Sequence, residues 1–140
     1  GTENVPAVVG CAKAVEFVSR NREIQSKRIK ELRNSLWREL KSSIPKIELN
    51  GSLENRLPNN LHIYFPGKDG AELMIALDQA GLAVSTGSAC SVRLAKPSRT
   101  VLALGFGEER AKGSIRITLG YPTTDEEVKR AVEIIKETSV

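Results

Sequence analysis

The chain has 140 residues, 21 basic and 17 acidic, for a net charge of +4, and 40% of its residues are hydrophobic. That length fits one domain with one modest core. Aromatics make up only 4%, so base-stacking platforms for nucleic acid are not expected, and no apolar run approaches the ~20 residues needed to cross a bilayer.

Residues 5–43 read as one long helix or two consecutive ones. Val5, Val8, Val9, Ala12, Val15 and Val18 keep a helical stripe. Ile29, Leu32, Leu36, Leu40 and Ile44 continue it, with Trp37 beside it. Asn4 before Val5-Pro6 suits an N-cap with proline in the first turn. The polar interval Asn21–Lys27 is a candidate bend, and Pro45 ends the segment. Cys11 falls on the apolar stripe and reads as a packing residue. The basic excess, concentrated between Arg20 and Lys41, reads as a solvated helix face, with docking of an acidic partner or weak nucleic-acid contact as the sharper alternative.

Lys46–Asn50 reads as a short strand closed by Asn50-Gly51. Leu61–Phe65 is a second strand, with Leu61, Ile63 and Phe65 on one face and His62 and Tyr64 on the other. Asp69 caps a helix over Ala71–Ala80, stopped by Gly81. Leu82–Ser85 reads as a short strand, Pro97-Ser98 opens a short helix ending at Gly105, and Glu108–Lys112 forms another turn. Gly113–Leu119 alternates Ile115, Ile117 and Leu119 against Arg116 and Thr118. Thr124 and Glu127 make a capping box for a last helix that turns Val128, Ala131, Val132 and Ile135 inward. This order predicts an α/β (α+β) domain with a three- to four-stranded mixed or antiparallel sheet covered by helices on one face. One domain over 1–140 is expected, with 1–44 a long helical region and 45–140 a small α/β unit.

Between Ser85 and Ser91, Cys90 is surrounded by four hydroxyl side chains, one glycine and one alanine. A packing cysteine needs bulky apolar neighbours, and this one has almost none. Glycine and small polar residues let the backbone move and approach another group closely. A cysteine attacks only as thiolate, and Arg93, Lys96 and Arg99 carry the positive charge that favours that form. The alternative is an ordinary cysteine in a strand-to-helix turn. A Cys–His hydrolase is disfavoured, because the one histidine, His62, lies in a strand-like run. Two cysteines, Cys11 and Cys90, do not make a secreted disulfide framework. With no signal-peptide pattern at the start, a cytoplasmic location is expected. Arg116 by itself reads either as a surface strand arginine or as a guanidinium fork for a carboxylate.

Thr86-Gly87-Ser88-Ala89-Cys90-Ser91, followed by Pro97-Ser98 and Leu102-Ala103-Leu104-Gly105, resembles the catalytic-cysteine region of cysteine desulfurases. These are pyridoxal-phosphate enzymes of the class V aminotransferase group. Leu57-Pro58-Asn59-Asn60, Phe65-Pro66-Gly67 and Ala76-Leu77-Asp78 resemble the family's segment upstream of that loop. Ser114–Gly120 and Thr123–Glu127 resemble its C-terminal strand and last helix, and Gly1–Pro6 the start of the helix leaving its large domain. The likeness is weakest over residues 20–56.

The resemblance implies the small C-terminal domain of a fold type I pyridoxal-phosphate enzyme, with a cysteine loop at about 85–97. It implies that Cys90 is the nucleophile that takes sulfur from L-cysteine as alanine leaves, that Arg116 holds the substrate carboxylate, and that Thr2 meets the cofactor phosphate of the neighbouring subunit. His62 departs from the asparagine that similar sequences often carry. No lysine here sits in a motif like the family's cofactor lysine, so pyridoxal phosphate is expected to be bound mainly by a large domain or companion chain, and the chain alone is expected to be inactive. The resemblance implies a homodimer for the complete enzyme and an iron–sulfur scaffold or tRNA-thiolation acceptor for the sulfur. No metal site is implied. A loop of about 12 residues reaches at most ~40 Å, enough to carry sulfur across an active-site mouth. Two other readings stand beside this one: a non-catalytic module that relays persulfide sulfur or binds a scaffold, and a selenocysteine lyase-like class V enzyme.

Overall fold

A computed structural model describes residues 1–87 and 97–139. Its elements are α1 (Val5–Ser43), β1 (Glu48–Leu49), β2 (Asn60–Tyr64), α2 (Gly70–Gln79), α3 (Arg99–Ala103), α4 (Glu108–Lys112), β3 (Ser114–Thr118) and α5 (Asp125–Ser139). The three strands form one antiparallel sheet in the order β1-β2-β3. In the β2–β3 register His62 faces Arg116, and Ile63 faces Ile115.

Several local signals act as expected. The Asn4 side chain accepts from Ala7 N at 3.2 Å, which starts α1. Asp69 accepts from the Ala71 and Glu72 amides at 2.7 and 3.2 Å, which starts α2. Thr124 and Glu127 exchange reciprocal bonds at 2.9 and 3.2 Å, which cap α5.

The sheet packs one face against the C-terminal half of α1 and against α5. Leu61, Ile63, Phe65, Ile115 and Ile117 meet Leu32, Leu36 and Leu40 from α1 and Val128, Val132 and Ile135 from α5. Leu73 and Leu77 join this core from α2. The expected strand over Lys46–Asn50 pairs only at Glu48–Leu49, although Asn50 N still donates to His62 O at 2.9 Å. The expected strand over Leu82–Ser85 reduces to a single bridge between Ser85 and Arg116, and Gly87, at φ +90°, turns the chain off β3 before the pairing can continue past Ser85.

Helix α1 is one continuous helix of 39 residues with two different environments. Its buried residues, Leu32, Arg33, Leu36 and Leu40, all lie in the C-terminal half. Its N-terminal half runs past the three-stranded sheet, since 24 helical residues cover about 36 Å. Val5, Val8, Val9, Val15 and Val18 are therefore exposed. Cys11 is exposed with them, so the expectation that it packs in a core is corrected for the described residues. The last hydrogen-bonded grip on α1 in that direction, among the described residues, is Arg28, which donates to Thr123 O at 2.8 and 2.9 Å and to Tyr121 O at 2.8 Å. Beyond it Phe17 touches Tyr121 edge-on at 5.7 Å.

The basic segment of α1 is not simply a solvated face. Arg33 is 1% exposed. It donates to Leu57 O at 3.1 Å, to Leu53 O at 3.0 Å and to Asn34 Oδ1 at 2.7 Å. The second face of β2 is closed as well. Tyr64 lies under the Arg110 guanidinium at 5.3 Å, and its hydroxyl donates to Glu109 Oε1 at 2.9 Å.

Candidate functional site

The loop joining β1 to β2 is drawn inward by two arginines. From α1, Arg33 holds the carbonyls of Leu53 and Leu57. From within the loop, Arg56 donates to Ser52 O at 2.6 Å, to Asn60 O at 3.4 Å and to Asn50 O. Asn50 is itself fixed: its amide donates to Ser114 Oγ at 2.8 Å and its carbonyl oxygen accepts from Arg110 Nε at 2.6 Å. The loop thereby becomes one rigid wall of a cavity.

The opposite wall comes from the two ends of the segment that carries Cys90. Ser85 is held to Arg116 by two backbone bonds, of 3.1 and 2.6 Å. Gly87 packs directly on Ser98: a Cβ added at Gly87 would lie 3.2 Å from Ser98 Oγ. Residues 87 and 98 therefore meet, which brings the two ends of that segment together. Three peptide units, at most about 11 Å of chain, separate Gly87 from Cys90. Cys90 itself, with Arg93 and Lys96, lies outside the described residues.

Arg116 and His62, register partners on β3 and β2, point into the same cavity with Arg56, Ser98 and Thr100. Among the described residues, no carboxylate and no lysine lines it. Arg28, Arg33, Arg56 and Arg110 are each engaged with backbone or side-chain oxygens. The Arg116 guanidinium has no such partner among the described residues. A half-buried, unengaged guanidinium in a cationic polar cavity is suited to a carboxylate, which it can take with two parallel bonds.

His62 is 8% exposed, and its Nε2 has no hydrogen-bond partner among the described residues. Burial, then Arg116, then Arg56, hold its pKa down to about 4, so the imidazole is neutral at pH 7. The unfolded chain takes up this proton near the ordinary value of about 6.5. The folded state resists it until about 4, so stability is full above pH 6.5 and falls as the pH drops through that window. A loss of about 2 kcal/mol is expected between pH 6.5 and 4.5 from this group. Urea midpoints at the two pH values, compared between the wild type and His62→Asn, measure it; equal pH slopes in both proteins would show that His62 is not held neutral.

The sequence-predicted site residues are only partly brought together. Arg116 lines the cavity. Thr2 is exposed ahead of the free end of α1 and does not line it. The described residues make no cradle for pyridoxal phosphate: Thr2 stands alone and the cavity has no lysine. Sequence reasoning missed Arg33 and Arg56 as the residues that shape the wall. The signal for Arg33 was present, because with Ile29, Leu32, Leu36 and Leu40 it continues the buried stripe.

The family model for aminotransferase class-V matches residues 1–131. Cysteine desulfurase IscS 1 of Archaeoglobus fulgidus is 40% identical over 138 residues, covering 96% of this chain and 35% of the relative. Cysteine desulfurase IscS of Dictyoglomus turgidum is 39% identical over 136 residues, covering 97% and 34%. The structure of a NifS-like protein from Rickettsia africae superposes with a TM-score of 0.83 at 31% identity, covering 99% of this chain and 35% of that one. A second NifS-like structure gives 0.84 at 31% identity, covering 98% and 34%. The chain thus spans about a third of the length of the curated relatives it matches. The family model covers more than nine-tenths of the sequence, and the structural matches extend over the same sheet and helices that build the Arg116 cavity. The chain belongs to the aminotransferase class-V family.

Proposed function

We propose that this chain is the C-terminal portion of a cysteine desulfurase, supplying the sulfur-accepting nucleophile and the substrate-carboxylate clamp. The observation that carries this reading is the meeting of the two ends of the Cys90 segment, Gly87 and Ser98, at the cavity of the unengaged Arg116. Arg116 takes the carboxylate of L-cysteine and fixes the amino acid by one end. Cys90, as thiolate, then bonds to the substrate sulfur. The carbon–sulfur bond breaks, and the products are L-alanine and a persulfide on Cys90. Pyridoxal phosphate, when bound, supplies the electron sink that makes this bond labile. The rest of a longer protein, or a companion chain, provides its lysine and most of its phosphate contacts, with Thr2 as this chain's contribution across a homodimer. The small residues around Cys90 let the persulfide be presented to an acceptor such as an iron–sulfur scaffold or a tRNA-thiolation protein. The reaction requires the remainder of the enzyme, so this chain alone is inactive. No helix among the described residues is long and apolar enough to cross a membrane, and a cytoplasmic location accords with this role.

Intact-mass spectrometry after incubation with L-cysteine tests the reading. The chain is combined with pyridoxal phosphate and the large domain of a matching desulfurase. An adduct of about 32 Da, one sulfur atom, is expected on Cys90. It is expected to vanish in Cys90→Ala and when the cofactor or large domain is withheld. Absence of the adduct from Cys90 in the associated, cofactor-loaded complex would overturn the proposal in favour of a binding or relay module.

A further inference from the structure

We propose that His62 is a second contact for the carboxylate held by Arg116, and that in acidic solution it takes up a proton when that carboxylate binds. This deepens the desulfurase reading and rests on Arg116 being the carboxylate clamp.

The His62 imidazole is more than nine-tenths buried. A buried polar atom without a partner costs about 1–3 kcal/mol, so such atoms are normally hydrogen-bonded. His62 Nε2 has no partner among the described residues, yet the ring is enclosed within a cavity shared with Arg116. The two residues sit opposite each other across β2 and β3, with side chains on the same face. A ligand oxygen seated against the guanidinium therefore comes within the field of the imidazole.

The charges around the ring give the direction of the response. From β3 it faces Arg116, and from the β1–β2 loop it faces Arg56; α3 and the residue before it contribute the uncharged Thr100 and Ser98. Among the described residues, every charged group facing His62 is positive, and both oppose its protonation. A carboxylate reverses that balance. It cancels part of the positive field and offers an acceptor, so the imidazolium becomes favourable and can donate to it. Proton and anion binding are then mutually reinforcing. An asparagine at this position could hydrogen-bond the ligand, but it could not couple binding to pH.

His62 is the chain's single histidine, so its ring resonances can be followed without assignment ambiguity. The test is a pH titration of this chain by NMR with and without L-alanine as the probe, reading the His62 ring and the Arg116 Nε–H together. L-alanine is expected to raise the His62 midpoint by about one unit and to bind about threefold more tightly at pH 4.5 than at pH 7. Arg116→Gln should abolish both effects. His62→Asn should leave binding that no longer strengthens as the pH falls. If Arg116 responds to L-alanine while the His62 midpoint stays fixed, the inference about His62 is overturned and the clamp stands. If neither responds up to 100 mM, roughly the weakest affinity worth calling a site, the carboxylate reading of Arg116 falls and the inference with it.

Discussion

Gly70→Ala is expected to destabilise the fold by about 3 kcal/mol, as overpacking against atoms that cannot rotate away. A Cβ at Gly70 would lie 2.6 Å from Lys112 O and 2.9 Å from Ser114 O, both main-chain atoms. Gly113 faces the same crossing from the other side: its Cβ would lie 2.9 Å from Lys68 O and 3.1 Å from Phe65 O. The chain entering α2 and the chain entering β3 thus touch backbone to backbone, and Phe65 N donates to Gly113 O at 2.9 Å. Moving them apart would pull β3 out of register and carry Arg116 with it. The same substitution at Gly10 should have the opposite sign. Gly10 lies in exposed helix with nothing within 4 Å of a new Cβ, so alanine there is expected to gain about 0.5–1 kcal/mol. Chemical denaturation of the two variants checks the contrast. A loss below about 1 kcal/mol at Gly70 would mean that the crossing relaxes freely.

These opposite signs mark what can and cannot be read from a sequence. Capping residues act on their own helix, so Asn4, Asp69 and the Thr124–Glu127 pair were legible locally. Alternation placed β2 and β3, and helical spacing placed the buried side of α5. Spacing alone does not say what covers a face. Val5–Val18 and Ile29–Ile44 show the same period, yet one stripe is exposed and the other lies in the core. Cys11 was misplaced for that reason. The candidate site was less legible than the fold. Arg116 was identified through family resemblance, not from its own neighbours in sequence. Its cavity depends on the β2–β3 register, on Gly87 meeting Ser98, and on a loop gathered by arginines from separate elements. Composition does not reveal such long-range pairings, and His62 read as an ordinary strand residue until its partner across the sheet was known.

Arg33 is where fold stability and site geometry meet, and Arg33→Ala is expected to cost about 4 kcal/mol. The substitution leaves a cavity beneath α1, where the Arg33 side chain is buried, and strips the Leu53 and Leu57 carbonyls of a charged donor. Burial lowers the pKa of the guanidinium from its ordinary value, but arginine remains charged at neutral pH. Its positive charge is stabilised by the carbonyl and amide oxygens around it, since Asn34 Oδ1 completes the set. Arg33→Met separates packing from hydrogen bonding: it restores much of the volume, and a smaller loss of about 2 kcal/mol is expected. Trp37, one turn along α1 and packed against the core, reports both transitions by fluorescence. The loop should respond before the core does. In Arg33→Met, hydrogen exchange at Asn60, whose amide donates to Leu57 O, should accelerate while Ile63 and Ile115 keep their protection. The freed wall would no longer hold Arg56, which lies between Leu53 and Leu57, against the Arg116 cavity, so binding of a carboxylate should weaken along with it. A protein that loses less than about 1 kcal/mol in Arg33→Ala would place the guanidinium in water, and the wall would then owe its shape to Arg56 alone.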